Sequence, residues 1–376
     1  MLRPPWSRGW TYRPDKVLNI ATSLVAIGIG ALAIRGSYGP ANGQTPVAPV
    51  PRNWIPVSDS VLKRLADDGK KPAWPGGTAG VSVDRVTGDV WMIVPDQGIW
   101  KSSNGGAAFS RVDDGGIGGR CETGFALNPD PAGRRLACFM LDGRSGITLD
   151  RGKTWSGFLP HGRGWDFGAV DWSRTMPRHI LAVHHESDGE LYHSEDAGQS
   201  WNLLGKNFTS VGIFDATAFV ASKGDGILRS TDGGSTWKKV SDRTPTGRVL
   251  CVLRGVGYWL TREGLLVSKD RGETWTPQGS EIEAAWGPFF GRTEKQITVV
   301  GKMGGVAGFW TTGDAGQSWK LAAPFPEFPR ESAPDWTPSK QWAAGWFYNF
   351  GWNPAAHIFY ASRMGHHTFR CEQNRP

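Results

Sequence analysis

Cysteine is scarce in this chain. Cys121, Cys138, Cys251 and Cys371 are the four in 376 residues, and no two of them form a CxxC pair. A zinc site built on cysteine is therefore not expected. A strong excess of one charge is also missing from most of the chain. The formal net charge is +7. Arg3, Arg8, Arg13, Lys16 and Arg35 against Asp15 place +4 of it in residues 1–50. The remaining +3 is spread over more than three hundred residues of mixed sign, which argues against nucleic acid as a partner. Nothing in the sequence calls for a cofactor. Histidines cluster at His184-His185, His193 and His366-His367, but alternating strand positions point to opposite faces, so no metal site is expected from them.

Glycine, proline and tryptophan are plentiful instead, at 52, 25 and 20 residues. That mixture suits short strands joined by tight turns. One eight-residue pattern recurs: Ser230-Thr-Asp232-Gly-Gly234-Ser-Thr236-Trp237. It returns at 148–155 (TLDRGKTW), 194–201 (SEDAGQSW), 268–275 (SKDRGETW) and 312–319 (TGDAGQSW). A weaker copy at 102–109 (SSNGGAAF) has Asn104 for the aspartate and Phe109 for the tryptophan. The aspartate (Asp150, Asp196, Asp232, Asp270, Asp314) can accept amide hydrogen bonds from its own turn. The glycine two residues on can take positive φ. The next hydroxyl can bond locally, and the tryptophan (Trp155, Trp201, Trp237, Trp275, Trp319) leaves the turn to pack in the core. These are structural positions, not catalytic ones.

The pattern closely resembles the Asp-box, or BNR repeat, of sialidases, sortilin, xyloglucanases and the propeller factor that assembles photosystem II. The resemblance implies an all-β, seven-bladed β-propeller. In it the box joins the third and fourth strands of a blade and lies away from the active face. Spacings of 46, 46, 36, 38 and 44 residues between box centres are blade lengths. Apolar runs before each box, such as 296–300 (QITVV), suit strands covered on both faces. A seventh unit begins near Gly351, and Thr368 to Glu372 falls where its box would start, with Glu372 at the acidic position. Asn53 to Asp59 (NWIPVSD) matches the stretch Thr236 to Asp242 that follows a box. Residues 53–58 are thus expected to supply the outer strand of blade seven and close the ring, with the propeller spanning 53–376.

Residues 17–34 carry no charge, and eighteen helical residues span about 27 Å, close to a bilayer core. With basic residues ahead of them they are read as a signal anchor. A cleaved signal peptide ending at Ala31-Leu-Ala33 is the competing reading. The anchor reading gives a cytoplasmic tail at 1–16, one transmembrane helix, a Gly/Pro-rich linker at 35–52 and a propeller on the periplasmic side of a bacterial inner membrane. Trp6, Trp10 and Tyr12 before the span, with Phe328, Trp336 and Trp342 in and after a Pro-rich insertion, are candidate partner contacts. Cys121 and Cys138 flank a Pro-Asp-Pro turn, and a disulfide between them suits an exported domain.

The sialidase signature Phe-Arg-Ile-Pro is missing, and no glutamate is visibly paired with Tyr348 or Tyr360. Asp166, Asp171, Glu186, Asp188 and Glu190 are acidic residues of the type a glycosidase pair needs, but their convergence is not legible in sequence. The two propellers that face a cleft in xyloglucanases are here one. The expected function is accordingly a non-enzymatic accessory, assembly or scaffold subunit of a membrane complex, photosynthetic or respiratory by family analogy. Its partners would be integral membrane subunits, with lipid met by 17–34. A membrane-tethered glycoside hydrolase or glycan-binding module is the alternative.

Overall fold

The computed structural model describes residues 54–73, 76–113, 115–119, 127–159, 162, 164–326 and 348–373. The expected tail, span and linker lie outside these residues, together with Trp6, Trp10, Tyr12, Cys121, Phe328, Trp336 and Trp342. Among the described residues no helix is long and apolar enough to cross a membrane.

Seven four-stranded antiparallel sheets are described. Consecutive sheets touch through their inner two strands in a closed cycle, from Gly80–Val83 through to Tyr348–Asn353 and back. Blade four shows the pattern. Ser210–Asp215 lies innermost, then Ala218–Ser222 and Ile227–Ser230, with Lys238–Ser241 outermost. Ala218–Ser222 is buried at every position, because neighbouring sheets cover both of its faces. The outer strand is exposed or half-buried and carries lysines. Seven apolar clusters fill the seams and interiors of the blades. Phe350 and Trp352 of the aromatic-rich stretch belong to one of them and are buried, with Tyr348 packed alongside.

The seventh sheet joins distant parts of the chain. Its order is Ile55–Pro56, Thr368–Glu372, Ile358–Arg363 and Tyr348–Asn353. Val57 donates its amide to the Thr368 carbonyl at 2.8 Å, and Ser58 Oγ accepts the Thr368 amide at 3.1 Å. Helix Asp59–Asp67 follows, and its buried Val61 and Leu65 pack with Trp100, Phe109 and Tyr360 in the seam between blades seven and one. The expected seventh box is displaced. Box hydroxyls pair with the first residue of the second strand in four blades, as in Ile180↔Ser194 and Ile297↔Thr312, and with the second residue in the other two. Ile358 pairs with Glu372. Glu372 therefore occupies the hydroxyl position, not the acidic one, and Thr368 opens the third strand instead of the turn.

Six box turns share one hydrogen-bond pattern. The first hydroxyl lies 2.5–3.0 Å from the Asp or Asn Oδ1. It also accepts the glycine amide at 2.7–3.0 Å. The seventh residue donates its amide to Oδ1 at 2.8–3.0 Å. Two successive residues are left-handed, not one: the fourth, at φ 59–74°, and the glycine, at φ 80–90°. Alanine or arginine fills the fourth position in four copies and bears that strain. The glycine cannot be replaced so readily. A Cβ on Gly198 would stand 2.5 Å from the Phe158 ring, and one on Gly152 2.8 Å from Trp91, each in the preceding blade. The box glycine is thus also a contact between blades. Of the five box tryptophans only Trp319 is buried. The others are half-buried in the seams, as where Trp155 stands edge-on to Trp91 at 6.3 Å.

The second carboxylate oxygen has one task. In the five Asp copies Oδ2 accepts the hydroxyl of the seventh residue, at 2.6 Å for Thr236 and Asp232. In the Asn104 copy the seventh residue is Ala108, so no hydroxyl needs that oxygen. Hydrogen bonds, first from Thr236 and Ser318, hold Asp232 and Asp314 down to about 2, against the ordinary 3.8. For a depressed carboxyl the contribution to stability is complete above the unfolded value and is lost as pH falls through the folded one. The acid limb should therefore run from about pH 4 to pH 2. Asp232→Asn should lower the melting temperature, and Asp232→Asn with Thr236→Ala, which copies blade one, should recover most of it and reduce the acid slope. A double variant no more stable than the single one would refute this account of Oδ2.

Candidate functional site

In a four-stranded blade the first turn shares a face with the box turn, and the middle turn shares the other face with the blade-to-blade connections. Each face holds one candidate site.

On the box face all seven inner strands enclose a cavity of about 600 Å³, with Val83, Asn128, Ala169, Ile213, Val252, Phe289 and Phe350 each coming from a different blade. Arg85 straps its mouth, donating through Nε to the Pro131 carbonyl and through Nη1 to the Gly291 carbonyl, both at 2.5 Å. Asp130 is engaged by Arg135 at 2.6 Å and by the Ala132 amide at 2.8 Å, and burial holds its carboxyl above the ordinary value. Burial also pushes the Cys251 thiol up to about 12, which makes it a poor nucleophile. The cavity is largely apolar, and its acid is committed to an ion pair. Asp171 also faces this side, accepting both the amide and the hydroxyl of Ser173.

The opposite face carries a charged cluster on blade three. Trp165–Val170 pairs with Ile180–His184, and the register slips between Trp165 and Phe167. Asp166 is the extra residue of that bulge, and bulges re-aim side chains. His185 Nδ1 lies 2.6 Å from Asp166 Oδ1. The other ring nitrogen lies 3.8 Å from Glu186 Oε1. Glu186 is left-handed at φ 49°, a conformation of some cost for a residue with a Cβ. Beside it Glu190 Oε2 accepts the Tyr192 hydroxyl at 3.2 Å, and Lys206 lies 3.0 Å from Oε1. Lys206 is the first cause holding Glu190 below the ordinary carboxylate range. Arg248 arrives from the connection to blade five, donating to the Thr209 carbonyl at 2.8 Å, over the Phe167 ring. Burial lowers its guanidinium to about 10, opposed by the attraction of Asp166. Asp166 therefore sits between an imidazole and a cation.

Of the acidic residues singled out in sequence, the fold brings Asp166, Glu186 and Glu190 to one turn region and sends Asp171 to the other face. Arg248 was missed, because nothing in a linker arginine shows which strand end it will meet. Cys138 ends a buried strand of blade two. Two histidines escape the rule of alternation: His179 and His193 share a face, with His179 Nδ1 3.1 Å from His193 Nε2.

The chain is thus a seven-bladed β-propeller with Asp-box turns and a charged cluster on the face away from them. No family model matches it. It is similar to a xyloglucanase from Paenibacillus sp, at 29% identity over 215 residues, covering 53% of this chain and 19% of that protein. The chain therefore spans about one fifth of the length of that relative. Among solved structures, it resembles the GH74 enzyme of Niastella koreensis, with a TM-score of 0.53 and 18% identity over 80% of this chain and 44% of that one. It also resembles YCF48 bound to a D1 peptide, with a TM-score of 0.46 and 15% identity over 87% and 97% of the two chains. The xyloglucanase relationship corrects the expectation that the chain is not an enzyme: at 29% identity it points, at a distance, to a glycoside hydrolase. That expectation rested on a missing sialidase signature and a missing second propeller, and neither bears on carboxylates that only folding brings together.

Proposed function

We propose that the chain hydrolyses a polysaccharide of the xyloglucan class, with Asp166 and Glu186 as its carboxylate pair. One observation carries the reading: the two carboxylates stand at opposite nitrogens of the His185 ring on the face away from the boxes. One imidazole and two contacts separate them, on the order of the ~5–10 Å that glycosidase carboxylates require. Hydrolysis needs one group to protonate the leaving glycosidic oxygen while the other acts at the anomeric carbon, directly or through water. Asp166, beside the His185 ring, is assigned the role at the anomeric carbon. Glu186, the more exposed of the two, is the proton donor. The identity to a xyloglucanase supports the substrate class. We further propose that residues 17–34, the charge-free run, tether the propeller to a membrane surface.

The test is reducing-end release from xyloglucan by the full chain recovered in the membrane fraction. Asp166→Asn and Glu186→Gln should each cut the rate by roughly 10²–10⁴-fold. Wild-type protein without activity, or either variant at the wild-type rate, would refute the assignment.

A further inference from the structure

We propose that His179, His193 and Glu195 of blade three form a binding site for a divalent transition-metal ion, with zinc the best match. The site is independent of the hydrolase reading and lies on the box side of the blade. Strand register builds it. Leu181 pairs with His193, so His179, two residues earlier, falls opposite Glu195, two residues later. Residues two apart on a strand share a face, and directly or diagonally opposed residues are neighbours. All three side chains therefore project from one face of one hairpin. One ligand atom from each lies within 4.8 Å of the others.

The chemistry fits a borderline-soft cation. His179 Nδ1 and His193 Nε2 are 3.1 Å apart, and their rings stack at 20°. Two nitrogens each bound at about 2.0–2.1 Å to one tetrahedral ion stand at close to that separation. The ion would take the place of the hydrogen now between the two nitrogens, which passes to the other nitrogen of its own ring, so two neutral imidazoles bind the ion with no net loss of a proton. Phe219 of blade four packs edge-on to His193 at 4.8 Å and closes the inner side. His193 is buried, so its ring is fixed in place by the blade around it. Glu195 is exposed on the outer side, 3.9 Å from His193 Nδ1, and its carboxylate can turn towards the shared pair. Two imidazoles and a carboxylate leave a fourth position for water.

The box itself leaves Glu195 available. Its hydrogen bonds use Ser194, Asp196, Gly198 and Ser200, together with the Gln199 amide. The same position in the other five turns holds Ser103, Leu149, Thr231, Lys269 and Gly313, so blade three alone offers a carboxylate there.

The experiment is a zinc titration of the metal-stripped full chain by calorimetry, alongside thermal melting. The wild type should bind one zinc and melt at a higher temperature. His179→Gln and Glu195→Gln alter half-buried and exposed residues and should keep the fold. Each should weaken binding by roughly tenfold or more and lose the melting shift. Cobalt should give the intense visible bands of a four-coordinate site in the wild type and not in the variants. No zinc binding to the wild type, or equal binding by both variants, would overturn the site.

Discussion

Removing residues 1–58 should drive the propeller towards the unfolded state, whereas removing residues 1–50 should leave its melting temperature unchanged. The stretch between the two cuts includes the outer strand of blade seven, Ile55–Pro56. Trp54 packs on Phe309 at 5.5 Å. Ile55 and Pro56 pair with Arg370 and Phe369. Val57 is buried against the box glycine Gly106, and its amide reaches the Thr368 carbonyl. Ser58 Oγ is the acceptor for the buried Thr368 amide. Burying a valine contributes about 1.5–3 kcal/mol, and each hydrogen bond about 0.5–1.5 kcal/mol. The loss is then roughly 4–8 kcal/mol, against a total of about 5–15 kcal/mol for an ordinary fold. It also bares the Thr368–Glu372 strand as a sheet edge, so the shorter protein should aggregate. Circular dichroism melts of the two truncations decide the matter, and coincident curves would show that the ring does not depend on this strand.

Gly198→Ala should destabilise the fold far more than the size of one added methyl group suggests. Alanine at φ 84° costs about 1–2 kcal/mol in backbone strain. Its Cβ would also stand 2.5 Å from Cδ1 of Phe158, which is itself wedged between Phe139 and Trp201 at 5.8 and 6.0 Å. Moving a ring packed in that way adds about 1–3 kcal/mol. Gly224 provides the control. It has φ 93°, but a Cβ there meets nothing within 4 Å, so Gly224→Ala carries the strain alone. Denaturant titration should therefore separate the two variants by at least the packing cost. Equal losses would mean that the box glycine serves its own turn and not the seam.

Local chemistry was the legible part of this chain. The box could be read from eight residues, because its hydrogen bonds run within the turn, and blade number followed from its spacing. The outer strand Ile55–Pro56 was legible within 53–58 because that stretch copies the one after another box. What failed to show in sequence depends on register or on neighbouring blades. Glu372 was placed two positions out, because the box is counted from the strand it pairs with and not from its own letters. The left-handed fourth residue was hidden wherever Arg151, Ala197, Arg271 or Ala315 stands for glycine. Asp166 and Glu186 are twenty residues apart in sequence, and a bulge at Asp166 accompanies their placement on either side of the His185 ring. His179 and His193 share a face through a hairpin whose turn length periodicity does not give. The expectations drawn from residues 1–52 and 327–347 concern stretches outside the described residues.

The pairing of Ile55 with Arg370 also sets a timetable for synthesis. A ribosome adding about 5–20 residues per second needs roughly 15–60 s to travel between those two positions. During that interval the first strand made has no partner, and each newly finished blade waits with one flank bare until the next emerges. Contacts between such distant positions are slow to form. The nascent chain is therefore a row of stacked sheets before it is a ring, and whatever shields its two open flanks over those seconds governs how much of it matures.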